Sequence, residues 1–368
     1  MRPGMQTLLD LIRGGLHEAE IDPNECLKVL DIAQQENVLP WAASCLRRHS
    51  DHPAPEVEDR LSAIEREARI SAFIWSATLR NTLAEFHRQG VPVISLKGPW
   101  LAQRLYGDAA LRLYSDLDLL VRREDFARSE SLLSGLGFVA ALRRDDYART
   151  FVRGDITLEL HDDVENPMAF NFKIDRAWSR AQSADFEGVP AFLLAPSDEL
   201  SFLCLHGARH RFERLSHILD LALAFLNLTS PQPERNCGSD RMLALGCMMA
   251  VRLDPNVAQF ERTYAAIPAR NSLEEIAENL WQERMVTPAP ALNWSTKHLF
   301  MLSIERPGWD RTRARFRYLR ILATRLISDD FAFASRFHLY RRWQVWMLRP
   351  VRLLVSARRA LPNTSSGS

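Results

Sequence analysis

Lysine is nearly missing from this chain. Only Lys28, Lys97, Lys173 and Lys297 are lysines among 47 basic residues, and the other 43 are arginine. So heavy a preference points to a genome-wide base-composition bias, which makes a local arginine cluster weak evidence for an anion site. Net charge is also missing. The 47 basic residues face 46 acidic ones, for a formal charge of +1, so no global field steers the molecule toward nucleic acid or acidic substrates. Cysteines are few: Cys26, Cys45, Cys204, Cys237 and Cys247 are odd in number and form no CxxC pair. That argues against a disulfide framework or zinc knuckle and for a reducing compartment. No apolar run reaches the roughly 18 residues a membrane-spanning helix needs. The first stretch, MRPGMQTLLDLIRGGLHEAE, breaks its apolar residues with charges and does not read as a secretory signal. A cytoplasmic protein is expected, peripheral to a membrane at most.

What is present is ordinary for a globular protein. The 368 residues are 46% hydrophobic and 25% charged, enough for two or three domains with a sizeable core. Residues 5–50 read as short amphipathic helices with a break at Asp22-Pro23, and a long helix is expected from about Glu56 to Gln89, ended by Gly90. The period then changes. VPVISL (91–96) reads as a buried strand, Pro99 to Tyr106 as a helix, SDLDLLV (115–121) as a strand, Asp125 to Leu136 as a helix, and ITLELH (156–161) as a third strand. From Ser197 on the pattern is helical, over 197–226, 240–252, 255–267, 271–285 and 310–348, with a Pro-rich loop from Ser230 to Ser239. The expected organisation is α+β: a small mixed-sheet core (91–195) between a helical region (1–90) and a helical domain (196–330). A basic amphipathic helix (331–361) and a disordered tail (362–368) complete it.

The chemistry concentrates in two strands. Side chains alternate along a strand with period two, so Asp116 and Asp118 project from one face while Leu117, Leu119 and Val121 turn to the other. Burying two acids in an apolar strand without compensation is costly, and a hard cation such as Mg²⁺ would compensate them. The third strand repeats the pattern, with Glu159 and His161 on one face and Leu158 and Leu160 on the other. If the strands are neighbours, three carboxylates converge as in a two-metal phosphoryl-transfer site. Before them, SLKGPW ends a strand in Lys97-Gly98 and opens a helix at Pro99. That arrangement offers backbone N–H groups and a point charge to a polyphosphate.

The stretch VISLKGPWLAQRLYGDAALRLYSDLDLLVRREDFARSESLLSGLGF followed by LELHDDV resembles the uncharacterised nucleotidyltransferase family of the DNA-polymerase-β superfamily. The likeness covers about 91–165, with a helical echo at 196–226. It implies that Asp116 and Asp118 are a metal-binding pair, that Glu159 is the third acid, and that Lys97, Gly98 and Arg112 serve the nucleotide. Many members of the wider superfamily have Gly-Ser at the start of the first helix; here Lys97-Gly98 stands there, 18 residues before Asp116. The implied reaction moves a nucleoside monophosphate from an NTP, ATP for example, to an acceptor hydroxyl on a protein, an RNA, a sugar or a small molecule. A catalytically silent binding or scaffold module is the alternative, with a membrane-surface accessory in polysaccharide or natural-product assembly as one form of it.

Two further patterns remain. On an expected helix over 200–225, His206, His210 and Arg214 recur every four residues and form one stripe. The stripe could line the nucleotide cleft, serve as a structural seam or, less plainly, bind zinc; the family has a similar helix. Residues 306–359 hold fourteen arginines, and no acid follows Asp330. There Phe337, Tyr340, Trp343, Trp346 and Leu348 interleave with Arg336, Arg341, Arg342, Arg349 and Arg352. Such a helix could contact a membrane surface or nucleic acid, or simply pack with a solvated basic face.

Overall fold

The computed structural model describes residues 2–14, 22–49, 53–144, 147–164, 172–228, 240–264, 270–287, 300–304, scattered positions within 312–319, 328–339 and 341–360. The loop from Ser230 to Ser239, most of 310–327 and the tail 362–368 lie outside the described residues. The chain divides into two compact units, Met1–Pro290 and Ala291–Ser368. The expected boundaries at 90 and 195 therefore fall inside one unit.

The first unit opens with α1 (Met5–Ile12), α2 (Pro23–Gln35), α3 (Leu39–His49) and the 34-residue α4 (Pro55–Arg88). The break at Asp22-Pro23 is a helix start: the Asp22 carboxylate accepts from the Asn24 N–H, and Pro23 occupies the first helical position. Acids Glu56 and Glu58 in the first turn of α4, and His87 and Arg88 in its last, complement the helix dipole.

Seven strands follow in one mixed sheet: β1 (Val93–Ser95), β2 (Leu117–Val121), β3 (Val139–Arg144), β4 (Ala148–Arg153), β5 (Ile156–His161), β6 (Gln182–Phe186) and β7 (Val189–Leu193). Their spatial order is β3-β4-β5-β2-β1-β7-β6. Pattern reading anticipates three of them. Arginines interrupt β3 and β4, which hides their alternation. Hairpin β6–β7 turns at Glu187-Gly188, both with positive φ, and β7 carries Pro190. Proline is tolerated there because β7's pairing to β1 is at Ile94–Phe192, so that neighbour does not ask for the missing N–H.

One face of the sheet is apolar. Leu117, Leu119 and Val121 of β2 join Ile156, Leu158 and Leu160 of β5 in a buried core with Trp75, Leu79, Leu83 and Phe86 from α4. Each such side chain contributes about 1.5–3 kcal/mol by leaving water. Helices α5 (Pro99–Tyr106), α6 (Phe126–Gly135) and α7 (Ile174–Arg180) connect the strands.

The C-terminal part of the unit is helical: α8 (Pro196–Arg209), α9 (Leu215–Leu226), α10 (Asp240–Leu253) and α11 (Arg270–Val286), with a 3-10 stretch at Pro255–Tyr264. The single helix expected over 200–225 is two. The chain turns between α8 and α9 with Arg211 and Phe212 at positive φ, and Phe212 packs its ring against Gly207, where a Cβ would come within 2.5 Å of it. Buried acids seat these helices. Glu199 holds Arg104 of α5 through two contacts of 2.5 and 3.1 Å, and Asp198 pairs with Arg180 of α7. Asp220 of α9 takes Arg112 at 2.9 and 3.0 Å and the Tyr106 hydroxyl at 2.6 Å.

In the second unit the described helices are α12 (Ser328–Ser335) and α13 (Arg342–Ala360). The expected helix over 331–361 is thus interrupted, with His338 at positive φ in the break. Its face also differs from expectation. Arg349 and Arg352 turn inward to buried Asp330, at 3.6 and 2.6 Å, while Trp343, Trp346 and Met347 are exposed. Tyr340 lies outside the described residues. No described helix is long and apolar enough to cross a membrane. The four described cysteines, Cys26, Cys45, Cys204 and Cys247, are buried.

Removing Asp220 would leave the Arg112 guanidinium buried without its carboxylate. Asp220→Ala is expected to lower the unfolding free energy by about 3–5 kcal/mol in urea titration. Arg112→Lys is expected to be destabilising as well, because an ammonium cannot reproduce the forked contact.

Candidate active site

The site follows from one register. Strands β2 and β5 are parallel neighbours, and Asp118 lies opposite Glu159, with Leu120 opposite His161. Since Leu117, Leu119, Leu158 and Leu160 fill the apolar core, alternation sends Asp118, Glu159 and His161 to the other face of the sheet. Single ligand atoms of these three lie within 4.8 Å of one another, and among the described residues they are the one such trio of potential metal ligands. Asp116 sits just before β2 and accepts a hydrogen bond from the Ser115 hydroxyl at 3.1 Å.

The negative charge gathered here has two internal counter-ions. Lys97 Nζ stands 3.0 Å from Asp118 Oδ2, both side chains being buried. His161 Nε2 lies 3.2 Å from Asp118 Oδ1 and 3.5 Å from Glu159 Oε2. Burial would raise the Asp118 pKa, but Lys97 and His161 outweigh it and hold the carboxyl below its usual range. The hydrogen bond from His161 likewise lowers Glu159. Burial would lower His161, yet its contacts with Asp118 and Glu159 push it up to about 9. Asp116 goes the other way, raised by burial and then by its neighbour Asp118. Three carboxylates crowd hard oxygen donors into one place. That donor set fits Mg²⁺.

Lys97 connects the acids to the start of α5. Gly98 follows it at φ +82, and a Cβ there would come within 3.2 Å of Leu117 Cδ2. Glycine is thus required where β1 passes into α5, whose N-terminus begins at Pro99. Helix α8 supplies the opposite wall. His206 Nε2 lies 3.5 Å from Lys97 Nζ, and burial, then Lys97, keeps its imidazole neutral. His210 packs tilted against His206 with ring centroids 4.7 Å apart, His217 closes the group, and Glu213 holds His210 Nδ1 at 3.2 Å.

The structure therefore brings Lys97, His206 and His210 together beside Asp118, and does not bring the two arginines with them. Arg214 precedes α9, and its guanidinium donates to the Gln35 carbonyl at the end of α2. Its neighbour Leu215 N–H donates to buried Glu36 at 3.0 Å, which fixes this turn against the N-terminal helices. The expected stripe fails at this point because the helix ends at Arg209. Arg112 directs Nε and Nη2 to Asp220 and an Nη1 N–H to the Leu113 carbonyl, so its charge is paired with α9 and not with Asp118. Arg209 is the residue that pattern reading missed. It lies 2.6 Å from the Tyr147 hydroxyl and helps to lower the Glu159 pKa, while Tyr147 stacks on His161. One arginine among 43 carries no signal of its own in this sequence.

A family of uncharacterised nucleotidyltransferases matches residues 22–253. The chain belongs to this family. Among solved structures it is similar to the solution structure of the antibiotic-resistance factor ANT(2'')-Ia, at 18% identity over 52% of this chain and 94% of that one, with a TM-score of 0.34. It is also similar to the crystal structure of an antigenic nucleotidyltransferase-like protein from Paracoccidioides brasiliensis, at 16% identity over 52% and 92% of the two chains, with a TM-score of 0.38. At these scores the likeness adds nothing to the site assignment. A comparison with curated proteins gives no match.

The electrostatics separate the two aspartates. Asp116→Asn is expected to leave the metal-free protein as stable as wild type or more so, because it removes a charge that its surroundings disfavour. Asp118→Asn is expected to cost about 3 kcal/mol in urea titration, since it strands the buried Lys97 ammonium. For His161, the raised folded pKa means its stabilisation is complete below about pH 6.5 and is lost as pH rises through about 9. Urea midpoints of wild type should therefore fall across that window, and His161→Gln should flatten the fall.

Proposed function

We propose that this protein transfers a nucleoside monophosphate from an NTP to an acceptor hydroxyl, with Mg²⁺ as cofactor and pyrophosphate as the leaving group. The observation that carries the reading is the pairing of Asp118 with Glu159 across adjacent parallel strands, with Asp116 two residues before. Asp116, Asp118 and Glu159 would hold Mg²⁺, which when bound offsets phosphate charge and assists displacement at phosphorus.

The chain's own groups do the rest. Lys97 and the N–H groups at the start of α5 receive the phosphates, and the bare backbone of Gly98 lets them approach. The acceptor oxygen forms a bond to the α-phosphorus, the bond from that phosphorus to the bridging oxygen breaks, and its electron pair leaves with pyrophosphate. Glu159 helps to activate the acceptor and takes its proton. His206, neutral and next to Lys97, keeps the ammonium beside the acids, and His210 lines the same wall. The geometry favours no nucleotide role for Arg112 or Arg214, whose guanidinium groups are committed to Asp220 and Gln35.

The test supplies each α-labelled NTP in turn, with Mg²⁺ and a cell lysate as the source of acceptor. Label is expected on an acceptor, and Asp116→Asn, Asp118→Asn and Glu159→Gln should each cut transfer more than ~100-fold, beyond the loss seen for groups that only support a metal ligand. Transfer at the wild-type rate by Asp116→Asn and Asp118→Asn would overturn the assignment.

A further inference from the structure

The ammonium of Lys97 lies in an unusual place for a phosphate-binding group. It is buried beside one of the proposed metal-binding acids, 3.0 Å from Asp118 Oδ2. The contact is an ion pair without hydrogen-bond alignment, since Asp118 Oδ2 has no hydrogen-bond partner while its other oxygen faces His161. On its far side, among the described residues, Lys97 meets soft or neutral groups: His206 Nε2 at 3.5 Å and the Phe202 ring at 5.9 Å. A neutral imidazole and an aromatic face hold a cation weakly compared with a carboxylate. Among the described residues the direct ion pair of Lys97 is with Asp118, Asp116 attracting it from farther off, and Asp118 is an acid the metal needs.

We propose that Lys97 is a built-in competitor for the metal, occupying Asp118 until the phosphates of the nucleotide draw it away. This inference rests on the proposed function. A divalent ion arriving alone meets an ammonium within contact distance of its ligand, and two like charges at such a separation repel strongly in a buried site. An ion arriving with a polyphosphate meets a different balance. The phosphate oxygens at the N-terminus of α5, one residue from Lys97, give the ammonium a second anion and release Asp118 to the metal. Metal and nucleotide therefore bind together, and the acids stay neutralised between turnovers. The lysine in LKG acquires a role that a serine in the same place could not perform, because a hydroxyl carries no charge to offer Asp118.

The experiment measures Mn²⁺ binding by electron paramagnetic resonance on the full chain without nucleotide, so that activity plays no part. Wild type is expected to bind Mn²⁺ weakly, and Lys97→Met and Lys97→Gln to bind it at least about tenfold more tightly. Lys97→Arg, which keeps the charge, should stay within a few-fold of wild type. The polar glutamine variant serves if the methionine variant fails to fold, with circular dichroism as the check. Asp118→Asn in the Lys97→Gln background should abolish the gain. Equal Mn²⁺ affinity in wild type and the folded Lys97→Gln variant, lost in both on Asp118→Asn, would overturn the competitor role and leave the metal site standing. Absence of Mn²⁺ binding in every form, with or without a non-hydrolysable NTP, would overturn both.

Discussion

Three carboxylates on one face of a sheet cannot be left to repel one another. The parallel pairing of β2 with β5 sets Asp118 opposite Glu159, and Asp116 lies two residues upstream. Much of the surrounding structure answers that charge. Lys97 reaches Asp118 from the end of β1, His161 spans Asp118 and Glu159, and Arg209 approaches Glu159 from the end of α8. The opposite face of the same strands is leucine packed on α4, so the sheet itself is anchored where no charge intrudes. The strained electrostatics sit on a rigid support, which is how a site can hold mutually repelling groups at small cost to the fold.

The helical walls are positioned by a different set of charges. Asp198, Glu199 and Asp220 are buried in α8 and α9, and each is answered by an arginine from the α/β core: Arg180, Arg104 and Arg112. Those pairs give orientation more than net stability, because desolvation offsets much of the attraction. Their effect is to hold His206 and Phe202 against Lys97. Arg112, counted from the sequence as a possible nucleotide contact, is in this structure one of these fasteners.

Much of the site was legible without coordinates because it depends on local rules. Period-two alternation places Asp116 with Asp118, and Glu159 with His161, whatever the strands do next. Lys97-Gly98 before Pro99 marks a strand-to-helix turn by the same kind of local argument, and Gly98 has the positive φ that such a turn demands. Hairpins β3–β4 and β6–β7 escaped notice because their charged or proline-bearing strands do not alternate cleanly. Each pairs with a strand next to it in sequence, so what was missing was the alternation and not a distant partner. The 200–225 helix misled for another reason: its four-residue spacing runs through Arg211 and Phe212, where packing of Phe212 on Gly207 turns the chain.

By itself the sequence determined which residues share a strand face, where the α5 and α2 helices begin, and the family to which the chain belongs. Only the tertiary structure decided that β2 and β5 are neighbours in the register that joins Asp118 to Glu159. It also decided that Lys97 rests on Asp118, that Arg112 belongs to Asp220, and that Arg214 faces the N-terminal helices. The division has a physical cause. Side-chain direction is a property of the backbone within a few residues, whereas the partner of a buried charge is chosen by whichever opposite charge folding brings within reach.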